Sequence, residues 1–199
     1  MEHYIELSNK NSKKAKDIIN GLNIIQICKG NGFEAHLIGS VSTNLLMNSN
    51  DIDFHIYSQN YQIEIIFAII GEIAGKMGIY KAVYQNFLST DDRSIDWHLN
   101  YKTIENEDWE IDLIFIRNDS PYVGRAEEIT RKINSTINEN TRNRVLKLKW
   151  ELDQKNEEYK GIEIYKAVLE NGIYTVNDFL EWKSGNPNMN LWSINPRDE

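Results

Sequence analysis

Two aspartates on one short segment are the residues of this sequence that are best placed to do chemistry. Asp51 and Asp53 lie in the alternating run DIDFHIY. Successive side chains of a β-strand point to opposite faces, so a strand here places both carboxylates on one face and Ile52, Phe54 and Ile56 on the other. Two carboxylates this close repel each other unless a cation lies between them. Mg²⁺ commonly binds one or two carboxylates together with substrate phosphates, so the spacing predicts a divalent-metal site.

A glycine–serine pair precedes these aspartates. Gly39 and Ser40 end a predicted strand, Glu34 to Ile38, and start a predicted short helix, Val41 to Met47. A strand-to-helix turn aims backbone N–H groups and the helix dipole at an anion, typically a phosphate. A phosphate site beside a metal site indicates phosphoryl or nucleotidyl transfer.

This ordered set of residues resembles the signature of the nucleotidyltransferase superfamily that includes DNA polymerase β. In that family a glycine–serine turn precedes a helix, an Asp-x-Asp strand follows, and a later strand supplies a third carboxylate. The segment Trp109 to Phe115 is similar to that later strand, with Asp112 in the carboxylate position. The resemblance covers roughly Ala35 to Ile116. Within the superfamily, the chain resembles a minimal or antibiotic-nucleotidyltransferase-like member.

The resemblance implies a metal-dependent enzyme that transfers a nucleoside monophosphate from a nucleoside triphosphate, such as ATP, to a small-molecule or protein acceptor and releases pyrophosphate. It implies that Asp51 and Asp53 hold two Mg²⁺ ions and that Asp112 holds the ion nearer the attacking oxygen. Gly39 and Ser40 would hold the nucleotide phosphates. The alternative is a protein of the same fold that binds or regulates, like an antitoxin, without turnover. The nucleotide and the acceptor stay open.

Several further side chains are candidates for the same site. Asp96 is a rival for the role of Asp112, because its strand also alternates and places Asp96, His98 and Asn100 on one face. His55 shares the face of the aspartate pair. Two interpretations stay open for His55 and His98: a structural hydrogen bond and a contact with the nucleotide.

No basic residue lies between Val41 and Met47, so a cation for the triphosphate is expected at Arg117, Arg125 or Lys81. A basic stretch in the last third of the chain is interpreted as a solvated helix face, with phosphate binding as the alternative; it contains Arg142, Arg144, Lys147 and Lys149. Trp97 and Trp109 are interpreted as core residues rather than stacking platforms. The same interpretation holds for the later aromatic residues, with a pocket wall as the alternative: Tyr165, Phe179, Trp182 and Trp192.

The hydrophobic pattern predicts an α+β fold in which a mixed β-sheet with flanking helices is followed by a helical C-terminal region. Residues 1–118 are predicted as the nucleotidyltransferase-like domain and residues 119–199 as the helical region. The other predicted helices are Ser12 to Lys29, Gln62 to Met77, Arg125 to Ile137, Thr141 to Asn156, Gly161 to Leu169 and Thr175 to Lys183, the last capped by Thr175. The other predicted strands are Asp51 to Tyr57, Ile79 to Leu88, Ser94 to Lys102 and Trp109 to Ile116. An irregular arm is expected after Gly185.

Composition narrows the class of partner. The 199 residues carry 22 basic and 30 acidic side chains, for a formal net charge of −8. An acidic chain repels phosphate backbones and anionic membranes, so we expect neither nucleic acid nor a membrane as partner. The one cysteine, Cys28, permits no internal disulfide and is expected to be buried and inert. With no apolar signal core or spanning segment, the sequence indicates a cytoplasmic protein, and its Asn, Lys and Ile content suggests a bacterial source. The oligomeric state stays open.

Overall fold

The computed structural model describes residues 2–196 and contains one five-stranded sheet. The strands are β1 (Glu34–Ile38), β2 (Asp51–Tyr57), β3 (Ile79–Asn86), β4 (Ser94–Lys102) and β5 (Asp108–Ile116). The helices are α1 (His3–Leu22), α2 (Ile24–Gly30), α3 (Gly39–Ser42), α4 (Ile63–Ala74), α5 (Arg125–Thr136), α6 (Glu139–Gln154), α7 (Gly161–Tyr165) and α8 (Val176–Gly185). A π-helical turn, Lys166–Glu170, continues α7.

The sheet is mixed, with strand order β1-β2-β5-β4-β3. Strands β2 and β5 run parallel, and the other neighbouring pairs run antiparallel. The predicted α+β fold is therefore confirmed. Because β2 and β5 are central neighbours, the two acidic segments of the sequence lie side by side although they are far apart along the chain.

The two faces of the sheet differ in chemistry. Every second residue of β2, β4 and β5 is apolar and buried, and these side chains form one core with α1, α2 and α4. Trp97 and Trp109 belong to that core, as expected. The opposite face carries acidic residues and histidines. The helices α5, α6 and α7 form a second core, to which Tyr4 of α1 also contributes. The division of the chain at residue 118 stays a prediction.

Two predicted helices have different limits in the structure. The first helix begins at His3 rather than Ser12, and it is interrupted at Asn23, whose φ of 55° is left-handed. The helix after the glycine–serine pair begins at Gly39 itself and ends at Ser42, because Asn44 adopts a φ of 57°. The prediction of Val41 to Met47 as a helix was wrong for residues 43–47. Leu45, Leu46 and Met47 are apolar because they fill the two cores as irregular chain.

The remaining elements agree with the predicted ones to within two or three residues at each end. Thr175 caps α8, since its hydroxyl accepts a hydrogen bond from the backbone N–H of Asp178 at 3.3 Å. Cys28 is fully buried, which raises the pKa of its thiol to about 12. Among residues 2–196, no helix combines the length and the apolar character that crossing a bilayer requires. The predicted arm is irregular as far as Pro196, and its last three residues lie outside the described part of the chain.

Candidate active site

The predicted aspartates meet on the polar face of the sheet. In the parallel pairing of β2 with β5, Asp51 lies opposite Glu110 and Asp53 lies opposite Asp112. Two positions on each strand therefore carry carboxylates, and all four side chains project to the same face because each pair is two residues apart. The alternating sequence forms strands here because its other residues, such as Ile52 and Ile111, are completely buried in the core.

The glycine–serine turn lies directly against this acidic group. Ile38, the last residue of β1, pairs with Asp53. Gly39 then adopts a φ of 68°, and a Cβ atom at this position would overlap the Asp53 carboxylate. Only glycine meets both conditions without strain, so the turn requires this residue. The closeness of Gly39 to Asp53 is what places Ser40 beside the aspartate pair.

Ser40 carries a polar atom without a partner. Its side chain is buried, and its Oγ forms no hydrogen bond with any described residue. A buried hydroxyl is normally hydrogen-bonded, because leaving it unsatisfied costs about 1–3 kcal/mol. An unpartnered hydroxyl that lines a cavity indicates a place for a ligand that can accept or donate a hydrogen bond.

Gly39, Ser40, Asp51 and Asp53 line a cavity of about 850 Å³. Its opposite wall comes from α5, α6, α7 and the C-terminal arm, including Lys149, Tyr159, Tyr165 and Trp192. The cavity therefore lies between the sheet and the helical region. Tyr165 and Trp192 form part of its wall, as the alternative interpretation held for these two aromatics. Tyr165 also belongs to the second core together with Phe179, and Trp182 packs against that core, as the first interpretation held.

Lys149 is the most informative cation of the cavity. It lies on α6 with 4% of its surface exposed, and its ammonium donates to the backbone oxygen of Leu45 at 2.9 Å and to the Tyr165 hydroxyl at 3.1 Å. No carboxylate of the described residues lies within ion-pair distance of it. A buried lysine without a counter-ion is rare, and its position in this cavity favours an anionic ligand.

The sequence placed Lys149 in a solvated basic stretch, and this interpretation was wrong for Lys149. The side chains of Arg117, Arg125 and Lys81 do not line the cavity. Arg117 pairs with Asp119 at 3.0 Å, and Arg125 lies over the Tyr122 ring. One signal could have found Lys149: Val145, Leu148, Lys149 and Leu152 recur at helical spacing, which places the lysine on the apolar face of α6.

The crowded carboxylates change each other's acidity. The pKa of Asp53 rises to about 8, mainly because burial disfavours the charged carboxylate. Repulsion by three neighbouring carboxylates adds to the rise, and the positive charge of Lys149 opposes it; the three are those of Asp51, Asp112 and Glu110. The pKa of Asp112 is also raised by burial, and a hydrogen bond from His98 counteracts part of that rise. The site is therefore short of positive charge. A divalent cation fits this set of oxygen donors, because it would relieve the repulsion.

Asp112 contacts a histidine of the neighbouring strand β4. His98 Nδ1 lies 2.6 Å from Asp112 Oδ1, on the β4 side of the carboxylate, and Asp112 does not line the cavity. Within residues 2–196, one group of three potential metal ligands has all its donor atoms within 4.8 Å of one another: His98, Glu110 and Asp112. Asp51 and Asp53 lie outside that group, so the metal-binding roles of all three aspartates stay predictions.

The other candidates have structural partners. Asp96 lies opposite Ile114 of β5, whereas His98, two residues later on β4, lies opposite Asp112. Asp96 accepts a hydrogen bond from Ser94 Oγ at 2.7 Å. His55 is buried, and its Nδ1 lies 3.3 Å from the Tyr57 hydroxyl and 3.5 Å from Glu127 Oε1. This network joins β2 to α5.

Comparison with solved structures identifies the architecture. A non-canonical poly(A) polymerase complex, GLD-2 with GLD-3, matches with a TM-score of 0.54 at 11% identity over 98% of this chain and 68% of that one. The Cid1 poly(U) polymerase matches with a TM-score of 0.58 at 15% identity over 88% of this chain and 56% of that one. The chain has the nucleotidyltransferase fold.

A histidine-to-asparagine mutant of Cid1 bound to MgATP shares the nucleotidyltransferase fold with this chain at a TM-score of 0.58, with 16% identity over 78% of this chain and 48% of that one. This chain thus spans about half the length of the Cid1 chains and about two thirds of GLD-2. No protein-family model and no curated protein matches the sequence. The resemblance predicted from the motifs is confirmed at the level of the fold.

Proposed function

We propose that this protein transfers a nucleoside monophosphate from a nucleoside triphosphate to an acceptor and releases pyrophosphate. The observation that carries the proposal is the cavity in which the acidic pair Asp51 and Asp53 faces an unpartnered Ser40 hydroxyl and the buried ammonium of Lys149. A polyphosphate with a bound cation satisfies all of these groups at once. A neutral ligand would leave Lys149 without a counter-charge.

Each residue has a distinct part in the proposed reaction. Ser40 Oγ and the backbone of the Gly39 turn bind the outer phosphates, and Lys149 compensates their negative charge from the opposite wall. Asp112 lies at the acceptor side, where the attacking oxygen approaches. The cavity volume of about 850 Å³ is within the range of small-molecule sites and exceeds what a triphosphate alone would fill.

Asp51, Asp53 and Asp112 would hold magnesium, with two ions as the expected number. Bound ions would neutralise the charge that develops on the attacking and leaving oxygens of an in-line displacement. The donor set fits Mg²⁺ because its oxygens are carboxylates and the remaining positions can be filled by water and phosphate.

The acceptor is proposed to be a small molecule or a protein. The net charge of −8 disfavours a polyanionic acceptor. One Cid1 structure is nevertheless described as explaining RNA terminal uridylyl transferase activity, with a TM-score of 0.51 at 13% identity. The comparisons therefore do not support the exclusion of nucleic acid, and an RNA 3′ end belongs among the acceptors to test.

The experiment is pyrophosphate release with each of the four ribonucleoside triphosphates, Mg²⁺ and pooled acceptors that include aminoglycosides, proteins and an RNA oligonucleotide. We expect release with at least one nucleotide, and loss of release when Mg²⁺ is chelated. A protein that binds no nucleotide in the presence of Mg²⁺ would contradict the proposal.

A non-catalytic binding protein is the second candidate, and one observation favours it. Asp112 is engaged by His98 and does not line the cavity with Asp51 and Asp53. A protein that only binds nucleotide would show a rise in melting temperature with Mg²⁺ and triphosphate, but no pyrophosphate release with any acceptor. The two measurements together separate the candidates.

A further inference from the structure

His98 connects three strands through both of its ring nitrogens. It lies on β4 directly opposite Asp112 of β5 and next to β3 on the other side. Its Nδ1 is 2.6 Å from Asp112 Oδ1, and its Nε2 is 3.0 Å from Gln85 Oε1. The side chains of His98 and Asp112 are each 27% exposed, so both are largely withdrawn from water.

The direction of these hydrogen bonds follows from chemistry. We assign the hydrogen to Nδ1, which then donates to the Asp112 carboxylate, because an ionised carboxylate can only accept. The Gln85 amide can serve Nε2 in either of its two orientations, as an acceptor or as a donor. Both nitrogens of His98 are therefore occupied, and neither is left over for a substrate.

The contact decides how Asp112 is oriented. Glu110, two residues before Asp112 on the same face, and Asp51 on the neighbouring strand β2 repel its carboxylate. The bond from His98 fixes Oδ1 on the β4 side, and Oδ2 forms no hydrogen bond with any of residues 2–196. A carboxylate with one oxygen anchored and one free is ready to contact a cation or an acceptor hydroxyl without first losing rotational freedom.

We propose that His98 is the positioning residue for Asp112 and thereby fixes the carboxylate on the acceptor side of the site. The inference rests on the proposed function for its catalytic consequence. Its structural part, that His98 prepares Asp112 to bind a cation, does not depend on turnover. Residues that orient metal-binding side chains in this way typically contribute 10–100-fold to metal affinity or activity.

Two substitutions separate the hydrogen bond from the imidazole ring. His98→Asn places an amide nitrogen near the position of Nδ1 and keeps a donor for Asp112, whereas His98→Leu removes the donor and keeps an apolar side chain of moderate size. Asn100→Leu is the matched control, because Asn100 lies on the same face of β4 two residues further along and pairs with Glu110 rather than Asp112.

We would measure kcat, the KM for the nucleotide, the melting temperature, and Mn²⁺ binding to the nucleotide-free protein by electron paramagnetic resonance. For His98→Leu we expect kcat and Mn²⁺ affinity to fall about 10–100-fold, with the KM for the nucleotide within about twofold of the wild type. His98→Asn should stay within about threefold of the wild type in all three quantities, and Asn100→Leu should match the wild type.

Wild-type kcat and Mn²⁺ affinity in His98→Leu would overturn the inference. Equal losses in both His98 variants would also overturn it, because the imidazole itself would then be required. A purely structural role predicts a lower melting temperature and a raised KM together, which contradicts a positioning role. If the wild type shows no turnover, the proposed enzymatic function fails, and Mn²⁺ binding alone still decides the role of His98.

Discussion

Replacing Asp53 with asparagine removes the central ionisable carboxyl group of the site while keeping its shape. The side chain borders Gly39 on one side and faces Asp112 across the strand pair, so an isosteric change disturbs the packing least. The pKa of Asp53 is about 8 in the folded, cation-free protein because burial and then three neighbouring carboxylates disfavour its ionised form. In the unfolded chain the same carboxyl has a pKa near 3.9.

The sign of the stability effect follows from these two pKa values. Between about pH 4 and pH 8 the folded state holds a proton that the unfolded state releases, so stability falls as pH rises through this window and is lowest above it. The pKa of Asp112 is also raised, so this carboxyl can take up a proton in place of Asp53, and we expect a net effect of about 2 kcal/mol at pH 8. For a chain of this size that corresponds to a melting temperature about 4–8 °C higher in Asp53→Asn at pH 8 without metal.

The assay is a thermal melt of both proteins at pH 5 and pH 8, with and without Mg²⁺, next to pyrophosphate release. At pH 5 the stability difference should be much smaller, and Mg²⁺ should raise the melting temperature of the wild type but not of the variant. Transfer should fall about a thousandfold or more, equivalent to roughly 4 kcal/mol of barrier. Asp17→Asn, on the surface of α1, is the control.

A variant that retains transfer undiminished would refute the assigned role of Asp53. A variant that is less stable than the wild type at pH 8 without metal would refute the electrostatic reasoning, because the carboxylate would then be stabilised by its neighbours.

Three further predictions concern the turn, the lysine and a helix cap. Gly39→Ala should lower the melting temperature by several degrees and abolish transfer, because its φ of 68° and the overlap with Asp53 both oppose a side chain; Gly21→Ala, with open space around it, should not destabilise. Lys149→Met should raise the KM for the nucleotide at least about tenfold in steady-state kinetics, whereas Lys147→Met, at an exposed ion pair, should not. Asn138→Ala removes the capping box of α6 and should cost about 1 kcal/mol, or 2–4 °C in a melt, with unchanged activity.

The strands of the sheet were predictable because their alternation is strict. Strands β2 and β4 have the bounds expected from the sequence, and β5 differs by one residue. In a strand whose polar and apolar residues alternate, the apolar side chains must face the core, since a shift by one residue would expose every one of them. The segment Leu45 to Met47 was mispredicted because three consecutive apolar residues fit a buried helix as well as an irregular chain that fills two cores.

The sequence predicted the part of the site that comes from neighbouring segments of the chain. The positions of Gly39, Ser40, Asp51 and Asp53 follow from one strand, one turn and the next strand. The hydrogen bond from His98 to Asp112 depends on the neighbouring positions of β4 and β5 in the sheet, and the approach of Lys149 depends on how α6 packs against the polar face. The hydrogen bond has no signature in the spacing of residues, because tertiary packing creates it. For Lys149 the spacing indicates only that it lies on the apolar face of α6, and not what that face approaches.

The most direct test is a crystal structure with Mn²⁺ and a non-hydrolysable nucleoside triphosphate analogue, because manganese is located by its anomalous scattering. We expect phosphate oxygens in contact with Ser40 Oγ and Lys149, and manganese bound to Asp51 and Asp53. A nucleotide bound elsewhere, or a cavity that takes up neither nucleotide nor manganese at saturating concentrations, would contradict the assignment of this cavity as a nucleotidyl-transfer site.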